Sequence, residues 1–336
     1  HDFSSGKGGD IFTFVMLVEG MDFRGALEHL ARKAGVDMSL FSNGDGKTAK
    51  RRTRAREALR LAALFYQQAL VRHPAALDYV VKKRRLNRQT IHDFLIGYAP
   101  DAKNGLVAAL EKRGFSVQEL RDAGLVNRFG GDLFKGRMMV ALQDGSGEVV
   151  GFTGRIIHDD PRAPKYLNTP QTILFDKSRY IFGLSQAKEA IRKEDVAVIV
   201  EGNLDVVSSH QAGVKYVVAT SGTAMTEQHL KQLSRLASRV KLAFDGDRAG
   251  VAATERAIYL AQKVGVELEV VSLPPDVKDP DELIQKNVDL WRQAIQLSQP
   301  AVEWVMARHA EMEDLATAEG KRRFSTVCLG ITLALM

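Results

Sequence analysis

The chain has 336 residues, 45% of them hydrophobic, which allows two or three globular domains and excludes a disordered tail. Its 47 lysines and arginines against 41 acids give a formal charge of +6, which indicates a polyanionic partner only where the positive charges are clustered. No apolar run is long enough to cross a bilayer and no signal-peptide pattern is present, so we expect a cytoplasmic protein without membrane contacts. The single cysteine, Cys328, excludes a disulfide framework and a cysteine-rich zinc site within this chain.

The amino-terminal region combines helical patterns with a basic linker. Apolar spacing over residues 11–38, interrupted at Gly20 and Gly35, predicts two short helices. Residues 42–50 turn to Asn, Gly, Asp and Lys, which predicts a linker that enters a strongly basic helix over residues 50–56. Such a run fits either a solvated helix face or contact with nucleic acid.

Two further basic clusters follow in the same half of the chain. The second is the run Lys82–Arg85, after a helical segment that ends near Val81. Alternating apolar residues over 133–157, with a turn at residues 144–147, predict a β-hairpin that presents Arg137 and Arg155. The third, sparser cluster contains Arg137, Arg155, Arg162, Lys165, Lys177 and Arg179. Three clusters together predict an extended phosphate-binding surface.

Short apolar strands alternate with helical patterns in the second half of the chain. The predicted strands are Ala197–Val200, Tyr216–Ala219, Leu242–Phe244 and Leu268–Val271. This order predicts a parallel α/β sheet covered by helices. After residue 275 the pattern is helical to the end.

Acidic residues follow two of these strands directly. Glu201 and Asp205 follow the first, and Asp245 and Asp247 follow the third. Because ligands of an open α/β sheet gather outside the carboxyl ends of its strands, these side chains are predicted to face one rim. Converging carboxylates repel one another unless a divalent cation neutralises them, and oxygen ligands select Mg²⁺ or Mn²⁺.

A third acidic pair and a small-residue loop have two interpretations each. Pro280 stiffens the turn between Asp279 and Asp281, which can then complete a two-metal site. The alternative is that each acid is a helix N-cap or a turn residue. Residues 221–224 either hold a phosphate through backbone N–H groups or form a plain turn before an N-cap at Thr226.

Several motifs carry a resemblance to a known family. Glu201–Gly202 and the later Asp245-x-Asp247 resemble the Toprim fold of primases, topoisomerases and some nucleases. Val150–Arg155 followed by Pro164–Pro170 resembles the basic motifs of bacterial DnaG-type primases, a pairing that topoisomerases and Toprim nucleases lack. Further similarity to these primases runs through Gly8–Val15, Ile96–Pro100 and Ile181–Leu184. The resemblance therefore spans nearly the whole chain.

The resemblance implies an α/β (α+β overall) protein, with a Toprim-type α/β sheet between a basic mixed α/β subdomain and a C-terminal helical subdomain. The implied segments are a zinc-ribbon remnant over 1–40, a basic linker over 41–54, the basic N-terminal subdomain over 55–186, the Toprim subdomain over 187–273 and the helical subdomain over 274–336.

The same resemblance implies the site residues. The expected metal ligands are Glu201, Asp205, Asp245, Asp247, Asp279 and Asp281, holding Mg²⁺ or Mn²⁺. Catalysis is assigned to Glu201, Asp245 and Asp247, with Glu201 either sharing a metal ion or moving a proton. The expected ligands of template, primer or nucleotide phosphates are Arg84, Arg137, Arg155, Lys165, Tyr166 and Lys177. Tyr166 either stacks on a base or is a buried structural side chain.

Three features depart from the family pattern. Asp2 and Ser5 stand where the zinc ribbon has its Cys-x-x-Cys cysteines, so zinc is not expected in this chain. Arg85 replaces a glycine, and Asn203–Leu204 replaces an aromatic–methionine pair. The start without methionine and the end within a helical pattern suggest a fragment, so a C-terminal module that binds the replicative helicase is expected to be absent here.

The expected activity is that of a DNA primase: synthesis of RNA primers on single-stranded DNA from ribonucleoside triphosphates, by metal-dependent nucleotidyl transfer. One alternative is a non-catalytic single-strand-binding protein derived from a primase. Another is a topoisomerase or nuclease of the Toprim type, although none of the seven tyrosines lies in a motif that suggests attack on DNA.

Overall fold

The computed structural model describes residues 8–34, 36, 46–158, 160–244 and 247–335. The positions Asp2, Ser5 and Asp245 lie outside the described residues. The chain divides into two compact units, one formed by residues 1–177 and 184–186 and the other by residues 178–183 and 187–336. None of the described helices is both long enough and apolar enough to cross a membrane. The division into five segments stays a prediction.

The first unit begins with the two helices that the sequence predicts. Helix α1 (Ile11–Glu19) begins at Asp10, whose carboxylate accepts the Thr13 N–H at 2.8 Å, and it ends at Gly20 in the left-handed conformation. Helix α2 is Phe23–Lys33. The elements that follow are α3 (Gly46–Arg72), α4 (Pro74–Asp78), a π-helical turn (Tyr79–Lys83), α5 (Arg88–Asp93), α6 (Gly105–Glu111) and α7 (Val117–Asp122).

An antiparallel sheet forms the centre of the first unit. Its strands are β1 (Gly97–Ala99), β2 (Arg137–Gln143), β3 (Val149–Ile156) and β4 (Tyr166–Asn168), in the order β1-β2-β3-β4. The predicted hairpin is therefore confirmed. Helix α3 crosses β1 so closely that a Cβ at Gly97 would lie 2.5 Å from the backbone carbon of Tyr66, which explains the glycine of this motif.

The second unit contains the predicted parallel sheet. Strands β5 (Val196–Val200), β6 (Val217–Ala219), β7 (Arg239–Ala243) and β8 (Glu267–Val270) pair in parallel in the order β6-β5-β7-β8. A two-residue strand, β9 (Gln299–Pro300), adds an antiparallel edge. All five residues of β5 are buried, as its continuous apolar run predicts.

Helices connect these strands and close the second unit. They are α8 (Leu184–Glu194, which starts in the first unit), α9 (Asn203–Gln211), α10 (Glu227–Leu233) and α11 (Arg248–Val264). The C-terminal helices are α12 (Pro280–Lys286), α13 (Val288–Gln296), α14 (Ala301–Met312) and α15 (Ala318–Leu335). Trp291, Trp304 and Val305 are buried. Thr226 caps α10 by accepting the His229 N–H, so the N-cap interpretation is confirmed.

Candidate functional site

The acidic site of the second unit starts where β5 ends and α9 begins. Glu201 follows β5 directly and is exposed, whereas Asp205 lies in the first turn of α9 and is only 8% exposed. The carboxylate of Asp205 folds back over Gly202, where an added Cβ would lie 2.5 Å from its Oδ2 atom. Gly202 is therefore the residue that leaves room for a buried carboxylate at this turn.

Helix α12 brings two more acids to Asp205. The backbone N–H of Asp281 donates to Oδ1 of Asp205 at 3.1 Å. Burial, followed by the charge of Asp279 and then that of Asp281, raises the pKa of Asp205 to about 7. The structure thus brings Asp205, Asp279 and Asp281 together at one end of the sheet, as the sequence predicts.

Hydrogen bonds from α12 and from Ser208 of α9 orient the carboxylates of Asp279 and Asp281. Pro280 occupies the first helical position, and Asp279 caps the helix by accepting the Glu282 N–H at 2.9 Å. Asp281 accepts hydrogen bonds from the Ser208 hydroxyl and, at 3.1 Å, from the Gln285 amide. The N-cap interpretation is therefore confirmed for Asp279, and the cap position also sets this carboxylate beside Asp205.

The acids that follow β7 are described only in part. Asp247 is exposed and caps α11 by accepting the Gly250 N–H at 2.9 Å, while Asp245 lies outside the described residues. Within the described ranges, no three His, Cys, Asp or Glu side chains are grouped as metal ligands. The candidate ligand atoms are all oxygens, and burial and neighbouring negative charges raise the pKa of Asp205. Both features fit a hard divalent cation such as Mg²⁺. Metal binding by Glu201, Asp205, Asp245, Asp247, Asp279 and Asp281 stays a prediction.

A second constellation lies in the first unit and joins two of the basic clusters. The Tyr79 hydroxyl accepts from Nε and Nη2 of Arg84 at 3.2 and 3.1 Å and from Nε of Arg155 at 3.0 Å. Nη1 of Arg155 donates to the hydroxyl of Tyr166, and Lys165 lies 6.0 Å from the Tyr166 ring centre. Tyr166 is 44% exposed, so it is not a buried structural tyrosine. Four predicted phosphate ligands, Arg84, Arg155, Lys165 and Tyr166, thus form one group, which we call the Tyr79 cluster.

Arg137 has a different place from the one expected. It is only 5% exposed, and its guanidinium donates to the carbonyls of Pro164 at 2.8 Å, Gly154 at 3.2 Å and Lys165 at 3.3 Å. The prediction that the hairpin presents Arg137 is wrong, because this side chain lies under the loop that leads to Tyr166. Burial lowers the pKa of Arg137. Phosphate binding by Arg137, like that by Lys177, stays a prediction.

The basic run of α3 is paired with carboxylates. Arg51 forms a bidentate ion pair with Asp122, both distances being 2.8 Å. Arg54 pairs with Glu119 at 2.7 Å and stacks on Phe115. Arg52 and Arg56 share the carboxylate of Glu28 on α2, at 3.3 and 3.2 Å. These four arginines therefore tie α3 to α2 and α7, and the expectation that they extend the phosphate-binding surface stays a prediction.

Tyr79 is the residue of this cluster that the sequence analysis missed. It lies in a segment predicted as an ordinary helix, and its signal is that a tyrosine precedes a run of four basic residues by three positions. The π-helical turn that places Tyr79 beside Arg84 has no apolar periodicity by which it could be predicted.

The fold and the acids of the second unit define a Toprim-type protein, and comparison with known proteins agrees. Residues 198–284 match the family "Toprim-like", and residues 65–188 match the family "DNA primase catalytic core, N-terminal domain". A DNA primase of Geobacillus stearothermophilus is 39% identical over 298 residues, which are 85% of this chain and 49% of that protein.

Solved structures give the same result. The DnaG primase catalytic domain bound to single-stranded DNA is 32% identical, with a TM-score of 0.74 over 85% of this chain and 94% of that one. The zinc-binding and RNA polymerase domains of the Aquifex aeolicus primase are 33% identical, with a TM-score of 0.72 over 98% of this chain and 79% of that one. The chain belongs to the family of bacterial DnaG-type DNA primases. It spans about half the length of the curated relatives it matches.

Proposed function

We propose that this chain carries the catalytic region of a DNA primase and synthesises RNA primers on single-stranded DNA from ribonucleoside triphosphates. The observation that carries the proposal is the convergence of Asp205, Asp279 and Asp281 at the end of a Toprim-type sheet, in a chain whose other unit holds the Tyr79 cluster. Carboxylates supply metal ligands and arginines supply phosphate ligands, and phosphoryl chemistry uses both.

In the proposed reaction, the 3′-oxygen of one ribonucleotide bonds to the α-phosphorus of the next. The bond between that phosphorus and the leaving pyrophosphate breaks, and the hydroxyl proton is lost. Asp247, one of Asp279 and Asp281, and the predicted ligand Asp245 would hold Mg²⁺ or Mn²⁺, which when bound supplies the charge that neutralises the pyrophosphate. Glu201 is exposed at the same strand end as Asp205 and is the residue proposed to share a cation or accept a proton.

In this proposal, the first unit supplies the contacts to the single-stranded DNA template. Arg84, Arg155 and Lys165 are proposed to bind backbone phosphates of the template, and the exposed ring of Tyr166 is proposed to stack on a base. Such contacts give little sequence readout and a strong dependence on salt. An RNA primer as product, a replicative helicase as partner and a cytoplasmic location belong to the same proposal.

Primer synthesis in vitro tests the proposal. Wild type and two single variants are incubated with single-stranded DNA, labelled ribonucleotides and Mg²⁺ or Mn²⁺, and the products are resolved by length. Asp247→Asn removes a predicted metal ligand but keeps a good N-cap residue, so the helix is retained. Asp276→Asn is the matched control. Asp276 is an exposed acid, its side chain 75% accessible, and it is not one of the predicted metal ligands.

We expect short, template-dependent RNA from wild type and Asp276→Asn but at least about 100-fold less from Asp247→Asn, as for loss of a group that stabilises transition-state charge. DNA binding without RNA from any of the three proteins would instead favour the non-catalytic binding protein. DNA cleavage or a covalent DNA adduct would favour another Toprim-type enzyme.

A further inference from the structure

Two arginines of the Tyr79 cluster reach the same neutral oxygen from different elements. Arg84 immediately follows the π-helical turn, and Arg155 lies on β3, 71 positions later in the chain. Both donate to the Tyr79 hydroxyl, at distances between 3.0 and 3.2 Å. Two positively charged groups therefore lie one hydrogen bond from a common atom, in an arrangement that their mutual repulsion opposes.

The π-helical turn creates this arrangement. The Arg84 N–H donates to the Tyr79 carbonyl at 2.9 Å, a bond five residues long instead of the four of an α-helix. The wider turn sets the side chains of Lys83 and Arg84 against the Tyr79 ring, at 5.4 and 5.5 Å from its centre. Tyr79 itself is only 9% exposed, so its ring is packed within the unit. Single π-helical turns within helices are frequent at functional sites.

The partners of Arg155 differ in kind from those of the α3 arginines. Arg51, Arg52, Arg54 and Arg56 each lie in an ion pair with a carboxylate, which Arg52 and Arg56 share. Arg155 is instead held by two tyrosine hydroxyls and the Tyr166 ring, and it makes no ion pair in the described part of the chain. A hydroxyl orients a guanidinium without cancelling its charge. The positive charge of Arg155 is thus oriented and still available to an anion.

We propose that Tyr79 is a positioning residue that fixes the guanidinium groups of Arg84 and Arg155 as a paired site for the phosphodiester backbone of single-stranded nucleic acid. This inference rests on the proposed function in one respect, that the first unit binds a nucleic-acid strand. A phosphate that meets both arginines replaces their repulsion with attraction, and the hydroxyl keeps the fork of each guanidinium from turning away before binding.

A double-mutant cycle on DNA binding tests the proposal without requiring catalysis. The four proteins are wild type, Tyr79→Phe, Arg155→Gln and the double variant, titrated into a fluorescein-labelled single-stranded oligonucleotide at several salt concentrations. Tyr79→Phe keeps the ring and removes only the hydroxyl. Tyr98→Phe is the matched control, because Tyr98 is a similarly buried tyrosine of the same unit whose hydroxyl is bound by the Asp101 backbone and not by an arginine.

We expect Tyr79→Phe to weaken DNA binding about 5-fold, the worth of one oriented hydrogen bond, and Tyr98→Phe to leave it unchanged. In the Arg155→Gln background, Tyr79→Phe should weaken binding less than about 2-fold, because one of the two guanidinium groups that it orients is gone. A general loss of structure would lower the melting temperature and affect both backgrounds equally. Melting curves of all five proteins therefore accompany the titrations.

Each contrary result has a distinct meaning. If wild type binds DNA and Tyr79→Phe binds it equally well, or if the two substitutions are additive, the positioning role of Tyr79 is refuted while the proposed function stands. If wild type shows no salt-dependent binding to single-stranded DNA, the proposed function itself fails.

Discussion

At the scale of single residues, Asp205 sets the chemistry of the acidic site. Its carboxylate is buried beside Asp279 and Asp281, and its pKa is raised from 3.8 to about 7. The folded state therefore binds the proton more tightly than the unfolded state does. The contribution of Asp205 to the free energy of unfolding falls as the pH rises from about 4 to about 7 and levels off above that, because the unfolded carboxyl loses its proton first. A bound cation would restore this stability, because it neutralises the ionised carboxylate.

Asp205→Asn tests that account in metal-free protein. The amide carries no charge, so at pH 8 we expect the variant to be more stable than wild type, by roughly 4 kcal/mol at most. Near pH 4 the two should be similar. Urea unfolding at both pH values, in EDTA, measures the difference. Adding Mg²⁺ should raise the midpoint of wild type more than that of the variant; identical pH dependence of the two proteins would contradict the prediction.

At the scale of elements, the turn that follows the π-helical turn contains a strained backbone conformation. Arg85 has a φ of 55°, the left-handed region in which a side chain is strained and glycine is not. This conformation gives a physical reason for the glycine that the family usually has there. We expect Arg85→Gly to raise the free energy of unfolding by about 0.5–1 kcal/mol, the strain relieved being larger than the added freedom of the unfolded chain.

Arg85→Ala separates backbone strain from the loss of the arginine side chain. The alanine keeps a Cβ and hence the strain, so only the glycine variant should be stabilised relative to wild type. Urea unfolding of the three proteins at neutral pH gives the comparison. Equal stability of the alanine and glycine variants would show that strain at φ 55° makes no measurable contribution here.

The attachment of α7 to α3 depends on Glu119. Its hydrogen bond with Arg54 and those with Ser116 lower the pKa of Glu119 to about 2, so the ionised form stabilises the fold. This stability is present above about pH 4.5 and is lost as the pH falls through 2. We expect Glu119→Gln to lower the free energy of unfolding at pH 7 by about 1 kcal/mol, a figure reduced for solvent screening.

The measurement is urea unfolding of both proteins between pH 2 and pH 7. The difference between wild type and Glu119→Gln should shrink as the pH approaches 2, where the glutamate is protonated. Glu111→Gln is a control on the neighbouring helix α6, since Glu111 is exposed. A difference that does not depend on pH would mean that the carboxylate charge is not responsible.

Helices and strands could be predicted from the sequence because the spacing of their apolar residues has the period of the element. The four parallel strands and the hairpin contain short apolar stretches separated by turn or helical patterns, and the acids after β5 were placed by the rule that ligands meet at strand ends. The burial of Arg137 was not predictable, because its side chain is satisfied by carbonyls from a loop 27 positions away. The pairing of Arg51 with Asp122 likewise joins residues 71 positions apart. Such contacts depend on the tertiary fold and leave no local pattern.

At the scale of the whole molecule, the net charge of +6 says little until each cation is assigned a partner. Arg51 and Arg155 differ in the charge of their partners. Arg51 pairs with the carboxylate of Asp122, whereas Arg155 is bound by the neutral hydroxyls of Tyr79 and Tyr166. Each phosphate contact to a single strand contributes about 0.7 to the slope of log affinity against log salt. Removing one cation should therefore have different effects at the two positions.

We expect Arg155→Gln to weaken binding to single-stranded DNA and to reduce the salt slope by about 0.7, and Arg51→Gln to leave the slope unchanged. Both substitutions remove one positive charge, so a mere change in overall charge would affect them alike. Arg51→Gln should instead lower the unfolding midpoint, because Asp122 loses its bidentate partner. Fluorescence titrations between about 50 and 200 mM salt measure the slope for wild type and both variants. Equal slopes for the two variants would mean that nucleic acid is attracted by the summed charge and not bound at the Tyr79 cluster.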